Sequence, residues 1–82
     1  LDAAAHLVEW EHAGLAALNG VQPRGIPPRA GRLVMDAEAL RAGMRPRSVH
    51  SPRPSLVCVE NTHNGAGGVV TPGEELRAIA DV

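Results

Sequence analysis

The feature that most constrains this chain is the stretch Ser55–Gly68, in which an apolar run changes abruptly into a polar, glycine-rich one. Residues Leu56–Val59 are all apolar, and two of them are β-branched valines. Such a run is typical of a strand covered on both faces, as in a parallel sheet. Residues Glu60–Gly68 then supply a carboxylate, two amides, a hydroxyl, an imidazole and three glycines. Ligands of open α/β sheets bind beyond the carboxyl ends of the strands, so we predict a buried parallel strand followed by a site-building loop. Taken alone, a solvated turn remains the simpler interpretation of that loop.

Two helices and a short strand are predicted upstream of this stretch. Apolar residues recur at helical spacing in His6–Leu18, although Gly14 in its interior indicates either close packing on a neighbour or a weak helix. Asp36 is placed to cap a second helix over Ala37–Met44, because its side-chain oxygen can accept from a free N–H of the first turn. Between these two helices, Val21–Pro27 is a candidate strand, and its proline favours a sheet edge.

A third helix is predicted downstream. The residues Thr71–Glu74 read Thr-Pro-Gly-Glu, the pattern of a capping box, and Leu76 and Ile79 would give the helix its buried contacts. The order helix, strand, helix, strand, helix is typical of a parallel sheet with right-handed crossovers. We therefore predict an α/β fold, part of a mainly parallel sheet with flanking helices. Residues 1–82 would form one incomplete domain without an internal boundary.

Charge and cysteine content narrow the possible partners and the compartment. The net charge of −1 gives no electrostatic reason to bind nucleic acid or an anionic membrane. Cys58 is the only cysteine and cannot form an internal disulfide, so a reducing cytoplasm is the expected location. No apolar run is long enough to span a membrane. His50, Cys58 and His63 offer metal-ligand atoms, but no pair of them has the spacing of a zinc finger.

The run Glu60–Asn64, which reads Glu-Asn-Thr-His-Asn and is followed by Gly67-Gly68, resembles the signature of the low-specificity L-threonine aldolases. These are pyridoxal-phosphate (PLP) enzymes of the aspartate-aminotransferase fold, within the β-eliminating lyase group. The upstream segment Arg45–Arg53 is also similar to that family, and the match is collinear from about His6 to Ile79. The resemblance implies a segment of the large PLP-binding domain of a homo-oligomeric lyase. The reaction implied is retro-aldol cleavage of a 3-hydroxy amino acid, giving glycine and acetaldehyde from threonine or allo-threonine.

The resemblance also implies roles for three residues. His6 would bind the cofactor by stacking on its pyridine ring. Glu11, in the text His-Leu-x-x-x-Glu, would lie close by as a catalytic carboxylate. His63 would be catalytic too, because an imidazole can accept or steer the proton of the substrate β-hydroxyl near neutral pH.

The chain contains no lysine, the residue whose amine the family uses to bind PLP covalently. The alternative function is therefore a non-catalytic remnant or interaction fragment of the same fold. For the same reason, we expect the 82 residues alone to be inactive.

Overall fold

Short helices joined by irregular segments make up the structure, a computed structural model that describes all 82 residues, Leu1–Val82. In chain order they are α1 (His6–Glu9), α2 (Gly14–Ala17), α3 (Ala37–Gly43), a 3₁₀ turn (Asn64–Ala66) and α4 (Gly73–Ala80). The longest of them, α4, has eight residues. None has the length and apolar character needed to cross a membrane.

The first predicted helix, His6–Leu18, is broken in the middle, so the prediction of one continuous helix is wrong. His12 and Ala13 adopt left-handed backbone conformations, with φ of +49° and +58°. A Cβ added at Gly14 would meet nothing within 4 Å, so close packing does not explain this glycine. Neither α1 nor α2 contains a buried residue. Helices of four residues gain little from local hydrogen bonding, and these two also lack the packing that usually stabilises short helices.

The second predicted helix is confirmed as α3, with the predicted cap. The Asp36 side chain accepts a hydrogen bond from the Ala39 N–H at 2.8 Å. α3 packs against α4, and the two helices carry most of the core. The buried hydrophobic residues of this core are Ile26, Met35, Ala37, Ala39, Leu40 and Ile79.

The third predicted helix is present as α4, but the predicted capping box is not. α4 begins after Pro72, and no side chain caps it. Thr71 is buried instead, and its N–H donates to Oδ1 of Asn61 at 3.2 Å. Glu75 accepts from the Ala37 N–H at 2.8 Å, which ties α4 to the start of α3. Ile79 is buried as predicted, and Leu76 is half-buried.

The predicted parallel sheet is absent from the structure. Leu56–Val59 is not a buried strand: Leu56 is 75% exposed, and residues 52–60 form no backbone hydrogen bond to other backbone groups. The candidate strand Val21–Pro27 is reduced to one parallel bridge between Ile26 and Asp2. A central parallel strand needs a strand on each edge and helices on both faces, and these 82 residues bring neither to this run. The predicted α/β architecture is thus present only in its helices.

Candidate functional site

The loop after the apolar run turns back on itself and places His63 inside the molecule. The N–H of His63 donates to the carbonyl of Val69 at 2.9 Å, and the N–H of Gly68 donates to the carbonyl of His63 at 2.9 Å. Gly67 and Gly68 both have φ near +80°, at +79° and +84°, a conformation that glycine adopts without strain. The loop therefore closes tightly around His63, and only 2% of the surface of this residue is exposed.

The imidazole of His63 lies between two carboxylates. Its Nδ1 accepts from the Ala66 N–H at 3.2 Å, so a neutral ring carries its proton on Nε2. Nε2 is 3.4 Å from Oδ1 of Asp2 and 3.9 Å from Oε2 of Glu60, yet it forms no hydrogen bond. The buried Nε2 is therefore the polar side-chain atom of this site that has no hydrogen-bond partner.

Asp2 is itself buried and held by the backbone. Oδ1 of Asp2 accepts from the Ala4 N–H at 2.8 Å, and Oδ2 accepts from the Met35 N–H at 2.6 Å. Asp2 also provides the parallel bridge to Ile26. These contacts fix the carboxylate that lies closest to Nε2 of His63.

Glu60 joins the His63 loop to the first helix. Its Oε1 accepts from the Asn64 N–H at 2.8 Å, and its Oε2 accepts from the His6 N–H at 2.7 Å. The hydrogen bonds from Asn64 and from His6 hold the pKa of Glu60 below its ordinary value. This carboxylate is therefore ionised near neutral pH and contacts the segments of both predicted histidines.

His6 lies on the other side of Glu60, at an apolar cavity. Nδ1 of His6 is 2.9 Å from Oε1 of Glu11, and about half of each side chain is exposed. The structure thus pairs the two residues that the sequence pattern had placed on one helix. The cavity has a volume of about 240 Å³. Its lining residues are Leu1, Ala5, His6, Leu7, Cys58, Val59 and Glu60.

The three predicted site residues therefore fall into two groups. His6 and Glu11 form a pair at the cavity, while His63 is buried behind Glu60 and does not line that cavity. The space beside His63 is about 10 Å³, which is close to the minimum for one water molecule.

Sequence reasoning missed the two carboxylates that contact His63. The available signal for Glu60 was its position as the first polar residue after the apolar run. Nothing in the sequence pattern marks Asp2, because its role depends on contacts with distant residues. No three His, Cys, Asp or Glu side chains, including His50, Cys58 and His63, are gathered as a metal site.

Comparison with known proteins extends over the whole chain. The family model of the beta-eliminating lyases matches residues 1–82. The chain is 39% identical over 75 residues to the low specificity L-threonine aldolase of Escherichia coli (strain K12), which is 90% of this chain and 21% of that protein. It is 35% identical over 79 residues to the low-specificity L-threonine aldolase 1 of Arabidopsis thaliana, covering 94% of this chain and 22% of that protein.

A third relative has a different name. The alanine racemase TOXG of Cochliobolus carbonum is 31% identical over 81 residues, covering 99% of this chain and 20% of that protein. The chain thus spans about a fifth of the length of these relatives. The family model matches every residue, which confirms the resemblance first seen in Glu60–Asn64: this chain belongs to the beta-eliminating lyase family.

Proposed function

We propose that this chain is a segment of a PLP-dependent lyase that cleaves 3-hydroxy amino acids such as threonine and allo-threonine to glycine and an aldehyde. The observation that carries the proposal is the arrangement of two imidazoles around Glu60, one at an apolar cavity and one between carboxylates. The two threonine aldolase relatives supply the reaction class.

The residues at the cavity fit the ring of PLP. The His6 imidazole is half exposed at the cavity, and five of the seven lining residues are apolar, as an aromatic ring requires. PLP, when bound, supplies an acceptor for the electrons released as the Cα–Cβ bond breaks. His6 would hold the ring by stacking. Glu11 would accept a hydrogen bond from the Nδ1–H of His6 and so fix the orientation of the imidazole.

His63 would hold the proton taken from the β-hydroxyl of the substrate. Nδ1 accepts from the Ala66 N–H in this structure, so Nε2 can take the hydroxyl proton only in the other tautomer, with the ring proton on Nδ1 and the bond from Ala66 broken. Asp2 and Glu60 are the carboxylates nearest to Nε2, both within 4 Å, and would keep the ring in place. The ring is 2% exposed, so this role requires an opening between Asp2 and Glu60 through which the hydroxyl reaches Nε2.

A second candidate reaction comes from the fungal relative. The similarity to the alanine racemase of Cochliobolus carbonum favours removal and return of the Cα proton of alanine, with the amino-acid skeleton kept intact. The two reactions differ in the bond that breaks at Cα: the Cα–Cβ bond in aldol cleavage and the Cα–H bond in racemisation. The presence of His63 between two carboxylates serves either reaction, so the measurement must separate them.

Exchange of segments between proteins tests the proposed function. Residues 1–82 would replace the matching segment in the Escherichia coli aldolase, giving a bacterial graft, and in the fungal racemase, giving a fungal graft. The matching Arabidopsis thaliana segment, placed in the same bacterial host, controls for the exchange itself. We expect the bacterial graft to release acetaldehyde from L-threonine or L-allo-threonine, and the fungal graft to lose alanine racemisation.

A bacterial graft that releases no acetaldehyde, together with a fungal graft that still racemises alanine, would support the racemase reaction. If the Arabidopsis control is active and both grafts with this chain bind PLP without turnover, the chain is a non-catalytic member of the family. The absorbance of bound PLP, measured in every graft, separates loss of chemistry from loss of the cofactor.

A further inference from the structure

We propose that Glu60 is a positioning residue that sets the relative placement of His6 and His63 by holding one backbone N–H from each of their segments. The structural part of this inference stands by itself, and its kinetic part rests on the proposed function. No role for Glu60 follows from the sequence pattern beyond its membership of the signature.

The contacts of Glu60 span the site. Oε2 reaches the N–H of His6, 54 residues away in the chain, and Oε1 reaches the N–H of Asn64, the residue after His63. The bond to His6 is the only hydrogen bond between residues 1–12 and residues 60–69. Glu60 also lines both the cavity beside His6 and the small space beside His63. One side chain therefore links the backbone of His6 to the backbone just after His63.

Both bonded N–H groups belong to the first turns of helical segments. His6 is the first residue of α1, and Asn64 is the first residue of the 3₁₀ turn that follows His63. N–H groups at such positions have no partner within their own helix. Ala5, which precedes α1, cannot cap it with a side chain, so Glu60 supplies the missing acceptor. The carboxylate thus caps two helical turns at once.

The two hydrogen bonds require both carboxylate oxygens and the length of glutamate. Glutamine has the same length but only one acceptor oxygen, so its NH₂ group would face one of the two N–H donors. Aspartate has two acceptor oxygens but is one methylene shorter, so it cannot reach both segments from the same backbone position. Each substitution should loosen both segments, because the altered side chain can hold only one of the two N–H groups at a time, and neither should restore the native arrangement.

Hydrogen exchange and kinetics in the bacterial graft test this role. We expect Glu60→Gln to speed amide exchange about five- to thirtyfold in the peptides around both His6 and Asn64. We expect kcat on threonine to fall about 10- to 100-fold, as for a misplacement of about 1 Å at a reacting group. KM should change less than about threefold, because substrate binding is not the interaction removed. Glu60→Asp should behave in the same way.

Glu9→Gln is the matched control, because Glu9 is exposed on α1 and forms no side-chain hydrogen bond or ion pair. It should leave exchange and kcat as they are in the unsubstituted graft. In a graft that carries His63→Asn, Glu60→Gln should cost much less than it does alone, because its effect passes through the position of His63. A residue that merely stabilised the fold would lower kcat by the same factor in both backgrounds.

The outcomes separate this inference from the proposed function. If the graft cleaves no 3-hydroxy amino acid but both peptides respond to Glu60→Gln, the proposed function fails and the positioning role stands. If the graft is active and Glu60→Gln behaves like Glu9→Gln, the positioning role is overturned. It is also overturned if only one peptide responds, or if neither amide is protected in the unsubstituted graft.

Discussion

Single residues in this chain act mainly through carboxylates that accept backbone N–H groups. Asp2, Asp36, Glu60 and Glu75 each accept such a bond from a residue outside their own turn or at its start. For Asp36 and Glu60 these hydrogen bonds lower the pKa and favour the ionised form, and Glu60 lies 3.9 Å from the imidazole of His63. Substitution can separate the roles of the two histidines predicted to be site residues, His6 and His63.

The two histidines should fail in different ways when replaced. In the bacterial graft, we expect His63→Asn to lower kcat about 10²- to 10⁴-fold while PLP remains bound, because a proton-holding group is lost. His6→Ala should lower PLP occupancy as well, because the stacked ring is lost. The measurements are threonine turnover and PLP absorbance.

His12→Asn is the control for both, because His12 is exposed and asparagine tolerates its left-handed φ of +49°. Unchanged turnover in His63→Asn would show that His63 does not handle the proton.

Asp36 should make the start of α3 sensitive to acid. The hydrogen bond from Arg29 is the main reason that the pKa of Asp36 falls to about 2, and the bond from Ala39 adds to it. The folded-state pKa is lowered, so the contribution of Asp36 to stability is complete above its ordinary value of 3.8 and is lost as the pH falls toward about 2.

In the bacterial graft, Asp36→Ala should cost about 1–2 kcal/mol of local stability, and exchange of the α3 amides should speed up about five- to thirtyfold at neutral pH. Glu38→Ala is the comparison, because Glu38 is exposed and caps nothing, although it pairs with the same Arg29. Equal effects of the two substitutions would contradict the capping role of Asp36.

At the scale of elements, the parts that the sequence predicted are those whose causes are local. α3 could be predicted because Asp36 caps its first turn. α4 could be predicted from its pattern although its expected cap was wrong, since the helix begins after Pro72 and the N–H of Thr71 bonds to Asn61. The strand predicted at Leu56–Val59 is absent from the structure. A strand depends on partner strands, and local residues do not specify those partners.

The site follows the same division. The signature Glu60–Asn64 and the pair of His6 and Glu11 were visible as patterns in the sequence. The burial of His63 was not, because it depends on Asp2 and on the turn made by the following glycines. Long-range contacts of single carboxylates carry no periodic signal, and they decide which groups face each other here.

The break between α1 and α2 predicts that glycine will change stability in opposite directions at two alanines, Ala13 and Ala16. Ala13 is left-handed, which costs an L-residue about 1–2 kcal/mol, so Ala13→Gly should stabilise the bacterial graft by about 0.5–1 kcal/mol after the entropy cost of glycine. Ala16 lies inside α2 and is exposed, so Ala16→Gly should destabilise it by about 1 kcal/mol. Urea unfolding of both variants measures the difference. Destabilisation by both would mean that residues 6–18 form one continuous helix in the graft.

At the scale of the whole molecule, the main feature is the large number of apolar side chains exposed to solvent. Only 11 of the 82 residues are buried, and large side chains such as Leu56, Leu18 and Val49 are 75%, 85% and 95% exposed. The apolar run that was expected to be covered on both faces is among the exposed segments. Contiguous exposed apolar surface drives association, and a segment without backbone partners can pair with another chain.

We therefore expect the 82 residues, expressed alone, to associate instead of forming a stable monomer, and to show no aldolase activity. The first expectation follows from the exposed run Leu56–Val59, so Leu56→Lys should shift the population toward smaller species, whereas Leu33→Lys, at an exposed site outside that run, should not. The second follows from the absence of lysine, which leaves no side-chain amine to bind PLP covalently. Light scattering measures the first, and borohydride trapping with PLP and threonine measures the second. A monomer with cooperative unfolding would contradict the association, and a trapped adduct on a side chain would contradict the chemistry.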